Sequence, residues 1–225
     1  MNYNFNREQF MEIELRCEQT KDYRETETVT REAFWNHDAP GCFEHYLVHI
    51  MRNSPAFLPE LSFVAVFDGK IIGNVMCMES IIEGDDGKVY KILTLGPISV
   101  LPEHQQKGIG RKLLEKTKAT AHKMGYRAIL LYGDPDYYTK QGFVPAEKYN
   151  IRTVDNMYAI ALQACELYAD ALKGIQGRFV EDAVYAISEA EAEEFDRHFS
   201  FKEKCSGTPS QQKFKKIVKM RRKAD

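Results

Sequence analysis

The sequence predicts an α/β domain whose sheet is mixed and mostly antiparallel, with helices on its faces. Three successive strand patterns within residues 61–100 are separated by turn signals, which predicts an antiparallel meander. A strand, helix, strand pattern over residues 89–132 then predicts a right-handed crossover between parallel strands. With 225 residues and 44% hydrophobic content, the chain can bury one large core and still carry an appendage.

The first elements are a strand and two helices. Residues 13–17 alternate apolar and polar side chains and predict the strand. A helical region follows and ends near Phe34 and Trp35, because the Asp-Ala-Pro-Gly run at 38–41 breaks it. Residues 42–51 place apolar side chains at helical spacing and predict the second helix.

The meander and the crossover follow. Residues 61–67 and 71–80 are rich in β-forming side chains and flank Asp68-Gly69, a hairpin turn signal. A second turn at 84–87 leads into a third strand at 89–100. A helix is predicted from Ile109 to Met124, ended by Gly125, and a short buried strand at 127–132 follows it.

The rest of the chain divides at residue 167. A short helical segment at 137–141 and strands at 143–151 and 157–167 complete a domain of residues 1–167. Residues 168–225 are expected to form a C-terminal extension, in which the capping box Ser188-x-x-Glu191 opens an acidic helix that ends at Phe199. A lysine-rich tail ends the chain.

The charge is unevenly distributed. The net charge is −2, but residues 202–225 contain seven lysines, two arginines and two acids, so this tail carries +7 and the preceding residues −9. An acidic body is a poor nucleic-acid binder, and recruitment to nucleic acid through the tail is the weaker interpretation. The tail itself is expected either to be solvated and mobile or to dock against the acidic segment 181–196.

Neither a membrane segment nor a metal site is predicted. No apolar run approaches the ~18–20 residues of a membrane-spanning helix, and residues 1–16 lack the apolar core of a signal peptide, so a cytoplasmic protein is expected. The five cysteines include no CxxC pair and are expected to be free thiols. His45 and His49 lie one helical turn apart without an accompanying HExxH glutamate, which favours structural roles over metal ligation.

The segment with the clearest chemical signal is Gln105-Gln-Lys-Gly108-Ile-Gly110, where a strand passes through a short loop into a helix. Glycines at a helix start leave N–H groups uncovered, and with the helix dipole these groups bind phosphate oxygens. Lys107 and Arg111 can add charge-assisted contacts. The segment is not a P-loop and lacks the third glycine of a dinucleotide-binding motif.

Two blocks of the sequence resemble the GNAT superfamily of N-acetyltransferases. Gln105, Gly108 and Gly110 match its acetyl-CoA pattern Gln/Arg-x-x-Gly-x-Gly/Ala, and Val100-Leu-Pro-Glu matches the preceding turn. The second block, Tyr138-Thr-Lys-Gln-Gly-Phe143, follows ~30 residues later across one helix and one strand. The resemblance covers about residues 13–167. Its Gly-Asp-Pro-x-Tyr-Tyr variant at 133–138 is similar to a bacterial branch without an assigned substrate.

The resemblance implies a GNAT fold in which the fourth and fifth strands splay apart and acetyl-CoA lies between them. The pantetheine arm would pair with the backbone of Ile98, Ser99 and Val100 like an added strand. The pyrophosphate would lie on the loop and helix start, formed by Gln105, Gln106, Lys107, Gly108, Ile109, Gly110 and Arg111. Many members have an Asn after the fifth strand that contacts the cofactor, whereas this chain has Gly133-Asp134.

The implied reaction moves an acetyl group from acetyl-CoA to a primary amine by direct attack, with no metal. Tyr138 is the candidate general acid, with Tyr137 as the alternative ring, and backbone N–H groups near Ile98 are candidate oxyanion donors. The general base stays open among Glu79, Asp134 and His104.

The expected acceptor is a small molecule. Family members build the acceptor pocket from the first helices, where this chain has side chains that could otherwise be core: Phe34, Trp35, Phe43, Tyr46 and Met51. A protein acceptor and a non-catalytic acyl-CoA-binding or sensing module are the alternatives, and a homodimer is left open.

Overall fold

A computed structural model describes residues 12–224. Residues 1–11, on which part of the expectation about a signal peptide rests, lie outside the described residues. The helices and strands, in chain order, are β1 (Glu14–Cys17), α1 (Tyr23–Phe34), α2 (Glu44–Met51), β2 (Phe63–Phe67), β3 (Lys70–Gly84), β4 (Val89–Val100), α3 (Ile109–Lys123), β5 (Ala128–Tyr132), α4 (Pro135–Tyr138), β6 (Val144–Pro145), β7 (Ile151–Arg152), β8 (Met157–Ala159), β9 (Leu162–Glu166), β10 (Gly177–Val180), α5 (Glu189–Asp196), α6 (Pro209–Lys219) and β11 (Arg221–Lys223).

Nine of these strands form one mixed sheet, whose main order is β1-β2-β3-β4-β5-β9-β6. The pairs β1–β2, β2–β3 and β3–β4 are antiparallel, and β4 and β5 pair in parallel across α3. This arrangement confirms the predicted meander and crossover. No helix among residues 12–224 is long and apolar enough to cross a bilayer.

Local sequence explains the sharpest turns. Asp68 and Gly69 both have positive φ, 49° and 73°, which is the two-residue hairpin turn that the right-handed strand twist favours. Gly125 has φ 85° directly after α3, where a left-handed residue ends the helix, as predicted.

The sheet is covered on both faces. Side chains of α3, among them Ile109, Leu113 and Leu114, pack with Leu93 and Leu95 of β4 in the main buried cluster. Ile92, which alternates with these two β4 residues, packs in a second cluster with Leu130 of β5. Helices α1 and α2 also contact β3 and β4, and α2 buries Met76 and Met78 of β3.

The strand predicted at residues 143–151 is wrong in extent. Val144 and Pro145 form β6, but Ala146–Tyr149 form a 3-10 turn and only Ile151 and Arg152 pair again, as β7. Asn150 between them has φ 54°, a left-handed conformation that interrupts extended backbone. The predicted strand at 157–167 is likewise divided into β8 and β9.

The residues after Leu167 are joined to the rest of the molecule along their length. β10 pairs antiparallel with the far end of β3, and β11 pairs with β8. Ser188 is the N-cap of α5, and its hydroxyl accepts from Glu191 N–H at 3.4 Å, as the capping box predicts. The predicted end of this helix at Phe199 is wrong, since α5 ends at Asp196 and residues 197–199 form a turn.

The basic tail is docked. Lys204 contacts Glu193 at 2.8 Å in the acidic segment. Lys213 contacts Asp134, the N-cap of α4, at 2.5 Å and Asp136 in the first turn of α4 at 2.7 Å. The acidic segment is therefore only one of the surfaces that neutralise the tail.

Candidate active site

The central feature of the site is a gap between β4 and β5. The two strands pair only at Leu93 with Ile129 and at Thr94 with Leu130. β4 then continues to Val100 and β5 to Tyr132 without further pairing between them. This is the splay that the resemblance implied, and it leaves one edge of β4 open.

Gly96-Pro97 begins the open part of β4. Gly96 has φ 136°, a conformation that favours glycine, and Pro97 has no N–H to give to a ladder. On the opposite strand the register with β4 shifts between Val75 and Cys77, which marks a bulge. The bulge turns the following residues out of regular pairing with β5.

Backbone directions after the bulge can be read from two hydrogen bonds. Leu101 N–H donates to Ile72 O on β3 at 2.9 Å, whereas Val100 O accepts from the Gln105 side chain at 3.0 Å on the opposite side. Because N–H groups alternate along a strand, the amides of Ile98 and Val100 face the open edge. Ser99 does not belong to this edge, since its backbone faces β3 and its hydroxyl donates to Thr30 Oγ1 at 3.2 Å.

The loop to α3 holds the predicted glycines at a bare helix start. Gly108 is the N-cap with φ 79°, and a Cβ there would meet open space. The first helical bond of α3 runs from Lys112 N–H to Gly108 O, so the amides of Ile109, Gly110 and Arg111 have no acceptor within the helix.

The charge around this helix start suits an anion. The first turn of α3 contains no acidic residue. Arg111 is exposed there, and Lys107 donates to Glu103 O at 2.8 Å within the loop. Gln106, with φ 59°, completes the tight turn. Bare amides with nearby cations form a cradle that fits the phosphates of an acyl-CoA.

Tyr138 lies at the end of α4, beside the carboxyl end of β5. Its ring packs against Phe143 at 5.4 Å and Tyr137 at 5.0 Å. It also rests on the backbone of Gly133, where any Cβ would overlap the ring. The Tyr138 ring can therefore pack here only because residue 133 is glycine and not the Asn that many family members have.

The Tyr138 hydroxyl forms no hydrogen bond with any other residue from 12 to 224. Burial, and then the nearby Tyr137, Asp38 and Asp134, raise the pKa of Tyr138, so the phenol stays protonated at neutral pH. Tyr137 lies over the glycine loop instead, with its hydroxyl 3.0 Å from where a Gly110 Cβ would stand. The two tyrosines therefore occupy different parts of the cleft.

Two of the three candidate bases, Glu79 and Asp134, already have charged partners, whereas His104 Nδ1 has no hydrogen-bond partner among the described residues. Glu79 accepts from Lys91 at 2.9 Å and from Tyr126 at 3.0 Å, and these contacts lower the pKa of its carboxyl. Asp134 caps α4 and pairs with Lys213. His104 packs against Phe67 of β2, at 6.0 Å between rings.

Two of the side chains predicted to line the acceptor pocket or the core, Trp35 and Tyr46, contact the extension. Trp35 Nε1 donates to Glu203 O at 3.0 Å, and the Tyr46 hydroxyl donates to Glu191 at 3.2 Å. Met51 is fully buried core. The extension also reaches β4, because the Tyr185 hydroxyl donates to Gly96 O at 3.1 Å. No sequence signal pointed to that contact.

His45 and His49 each lie against a carboxylate. Burial lowers the pKa of His45 to about 4, so it is neutral where it lies 3.1 Å from Asp196. His49 contacts Glu27 at 2.9 Å. Within residues 12–224 no group of three His, Cys, Asp or Glu side chains could hold a metal ion, and all five cysteines are free.

Two splayed parallel strands, β4 and β5, beside a helix that begins at a glycine are typical of a protein that binds an extended, phosphate-bearing acyl carrier. Residues 59–145 match the model of the acetyltransferase (GNAT) domain. The uncharacterized N-acetyltransferase YhbS of Escherichia coli K12 is 30% identical over 135 residues, which are 60% of this chain and 78% of YhbS. The chain belongs to the GNAT family of N-acetyltransferases, acetyl-CoA-dependent enzymes.

Further relatives agree with this assignment. YjhQ of Escherichia coli K12, an uncharacterized N-acetyltransferase, is 31% identical over 44% of this chain, and the match spans only 54% of YjhQ. The crystal structure of Escherichia coli YhbS with CoA has a TM-score of 0.70, 24% identity and coverage of 79% of this chain and 93% of that one. A Brucella melitensis GNAT acetyltransferase with acetyl-CoA has a TM-score of 0.61, 28% identity and coverage of 77% and 97%. These structures confirm the GNAT fold predicted from the sequence.

Proposed function

We propose that the protein transfers an acetyl group from acetyl-CoA to the primary amine of a small molecule, by direct attack while both substrates are bound. The open edge of β4, ending beside the bare start of α3, carries this proposal. Ile98 and Val100 would pair with the pantetheine arm, and the amides from Gln105 to Arg111 would hold the pyrophosphate.

The residues of the cleft then have separate tasks. The Ile98 N–H, which faces the cleft after the bulge, would stabilise negative charge on the carbonyl oxygen. The protonated Tyr138 hydroxyl would give its proton to the leaving sulfur. Direct attack is supported by the buried thiols of Cys42, Cys77 and Cys165, because burial raises the pKa of each and disfavours a thiolate nucleophile.

A small acceptor is supported by the cover over the α1–α2 loop. Asn36 in this loop donates to Glu203 O at 3.1 Å and accepts from Cys205 N–H at 3.0 Å. Lys204 lies against Gly41 in the same loop. These contacts hold the extension across the surface through which a large protein acceptor would approach.

Thiol release from acetyl-CoA, measured across a panel of amino acids, polyamines and aminoglycosides, tests the proposal. We expect amine-dependent thiol release that is saturable in both substrates, with intersecting initial-rate lines. Tight acetyl-CoA binding without thiol release would instead support a non-catalytic acyl-CoA sensor. Acetylation of peptides alone would support a protein acceptor.

A further inference from the structure

We propose that Glu181, in the C-terminal extension, is the general base that removes the proton from the acceptor ammonium. The inference rests on the proposed function, since it assigns a step of amine acetylation. It also identifies a catalytic residue outside the part of the sequence that resembles the family.

The position of Glu181 follows from its neighbours in sequence. Phe179, two residues earlier, packs its ring 5.9 Å from that of Tyr132, the last residue of β5. Tyr185, four residues later, donates to Gly96 O at the bulge of β4. The backbone of Phe179 and Val180 is the end of β10, paired with Ile82 and Ile81 of β3. The two aromatic side chains that flank Glu181 therefore reach the end of β5 and the bulge of β4, on either side of the splay.

This segment lies on the face of the sheet opposite α3. Phe179 packs with Ile82, Ile92 and Leu130 in the second cluster, and Tyr185 packs with the α2 cluster at Met76 and Met78. With the phosphate cradle at the start of α3, this places Glu181 on the acceptor side of the cleft. An amine bound on this side would pass the Glu181 carboxylate on its approach to the acetyl position.

Glu181 is a partly buried carboxyl with no partner. It forms no hydrogen bond and no ion pair with any other residue from 12 to 224, in contrast to Glu79, which has two partners. Its neighbour Asp182 is occupied, accepting from Val184 N–H and from the Ser54 hydroxyl. A carboxylate kept free of partners can accept a proton from a substrate.

Burial raises the pKa of Glu181 to about 7, which matches a base to neutral pH. Its charge acts on Tyr132 of β5 and on Tyr185, and Asp182, the next residue in the chain, also acts on Tyr185. Arg221 and Asp155 act on Tyr132 from the tail and from the loop before β8.

The protons balance in this scheme. Glu181 takes one proton from the ammonium, and the neutral nitrogen forms its bond to the acetyl carbon as the carbon–sulfur bond breaks. Tyr138 gives its proton to the sulfur. The second proton that the nitrogen loses then returns to the Tyr138 oxygen through water. Glu181 then releases its proton to solvent, so that one proton is released per turnover.

The test compares wild type with Glu181→Gln and with Glu189→Gln, an exposed glutamate of the same extension. In wild type we expect kcat/KM for the amine to level off above about pH 7, because Glu181 is then ionised. Glu181→Gln should be about 100-fold slower at pH 7. Its kcat/KM should keep rising about tenfold per pH unit toward the amine pKa of ~10, since it depends on amine already neutral in solution.

Three controls make the result specific. The Kd of acetyl-CoA should stay within about twofold in Glu181→Gln, Glu189→Gln should match wild type, and Glu181→Asp should retain the break near pH 7 at reduced rate. An active wild type with an unchanged profile in Glu181→Gln overturns the role of Glu181 alone. A wild type that binds acetyl-CoA and releases no thiol with any amine overturns the proposed function and this inference together.

Discussion

Tyr138 shows how a single side chain depends on the residue it packs against. Its ring occupies the space in which a side chain at position 133 would stand, and its hydroxyl has no partner among the described residues. Because burial raises the pKa of this phenol, the hydroxyl is protonated and can donate a proton at neutral pH. Gly133 therefore leaves the space in which the Tyr138 ring packs, and the same side chain carries the proposed proton donor.

Replacing Tyr138 with Phe removes the hydroxyl and leaves the ring packing. We expect kcat to fall about 100-fold while the Kd of acetyl-CoA stays within about twofold, because the lost proton donor acts on the leaving sulfur and not in binding. Steady-state thiol release and calorimetric titration measure the two quantities. Tyr137→Phe is the matched control, and a larger loss of kcat in that variant would assign the acid to the neighbouring ring.

At the scale of elements, α3 has two glycines in similar conformations with different surroundings. Gly108 begins the helix with φ 79° and Gly125 follows its end with φ 85°, and a Cβ at either position would meet open space. Only Gly108 lies at the amides proposed to hold phosphate. Comparing substitutions at these two glycines therefore distinguishes the effect of backbone strain from that of a contact with the ligand.

Alanine at either glycine should cost about 1 kcal/mol of unfolding free energy, because a Cβ disfavours positive φ. Gly108→Ala should also weaken acetyl-CoA binding about tenfold, since its Cβ stands before the phosphate-facing amides. Gly125→Ala should leave the Kd unchanged. Chemical denaturation and calorimetric titration of both variants check this, and equal Kd values would contradict the assigned cradle.

The elements that sequence patterns predicted are those fixed by local physics. The β-forming run of residues 71–80, the turn at Asp68-Gly69 and the end of α3 at Gly125 each follow from neighbours in the chain. The segment 143–151 failed because its β-forming side chains did not reveal the left-handed Asn150. The Tyr185–Gly96 contact could not be predicted, since it joins residues 89 positions apart with no repeating pattern between them.

At the scale of the whole molecule, the extension is attached through a buried ion pair. Asp196 of α5 accepts from Arg31 of α1 at 2.6 Å, and the Arg31 side chain is only 3% exposed. His45 of α2 lies against the same carboxylate. This cluster holds α5 on α1 and α2, and so supports the path of the chain from Glu181 onward.

Asp196→Ala should destabilise the whole protein by about 3 kcal/mol, because it leaves the Arg31 guanidinium buried without its main partner. Asp196→Asn should recover part of this loss by keeping a hydrogen-bond acceptor. Both values come from chemical denaturation followed by circular dichroism. A loss below about 0.5 kcal/mol in Asp196→Ala, typical of an exposed ion pair, would show that the extension is not held here.

Glu181 links the proposed chemistry to the stability of the whole protein. Its pKa is about 7 when folded and 4.5 in its ordinary state, so between these values the folded protein binds the extra proton. Ionisation of Glu181 therefore lowers the unfolding free energy of the wild type. This loss is absent below pH 4.5, grows as the pH rises to 7 and is constant above.

Glu181→Gln removes this ionisation, so its unfolding free energy relative to that of wild type should increase as the pH rises. We expect equal unfolding free energies near pH 4 and an advantage of about 2 kcal/mol for Glu181→Gln at pH 8, after allowance for partial exposure to solvent. Denaturant titrations of both proteins at each pH measure the difference, in which all other titrating groups cancel. The ionised carboxylate of Glu181 destabilises the fold but serves as the base, so Glu181→Gln should be both slower and more stable than wild type at pH 8. A stability difference between the two proteins that does not change with pH would contradict this.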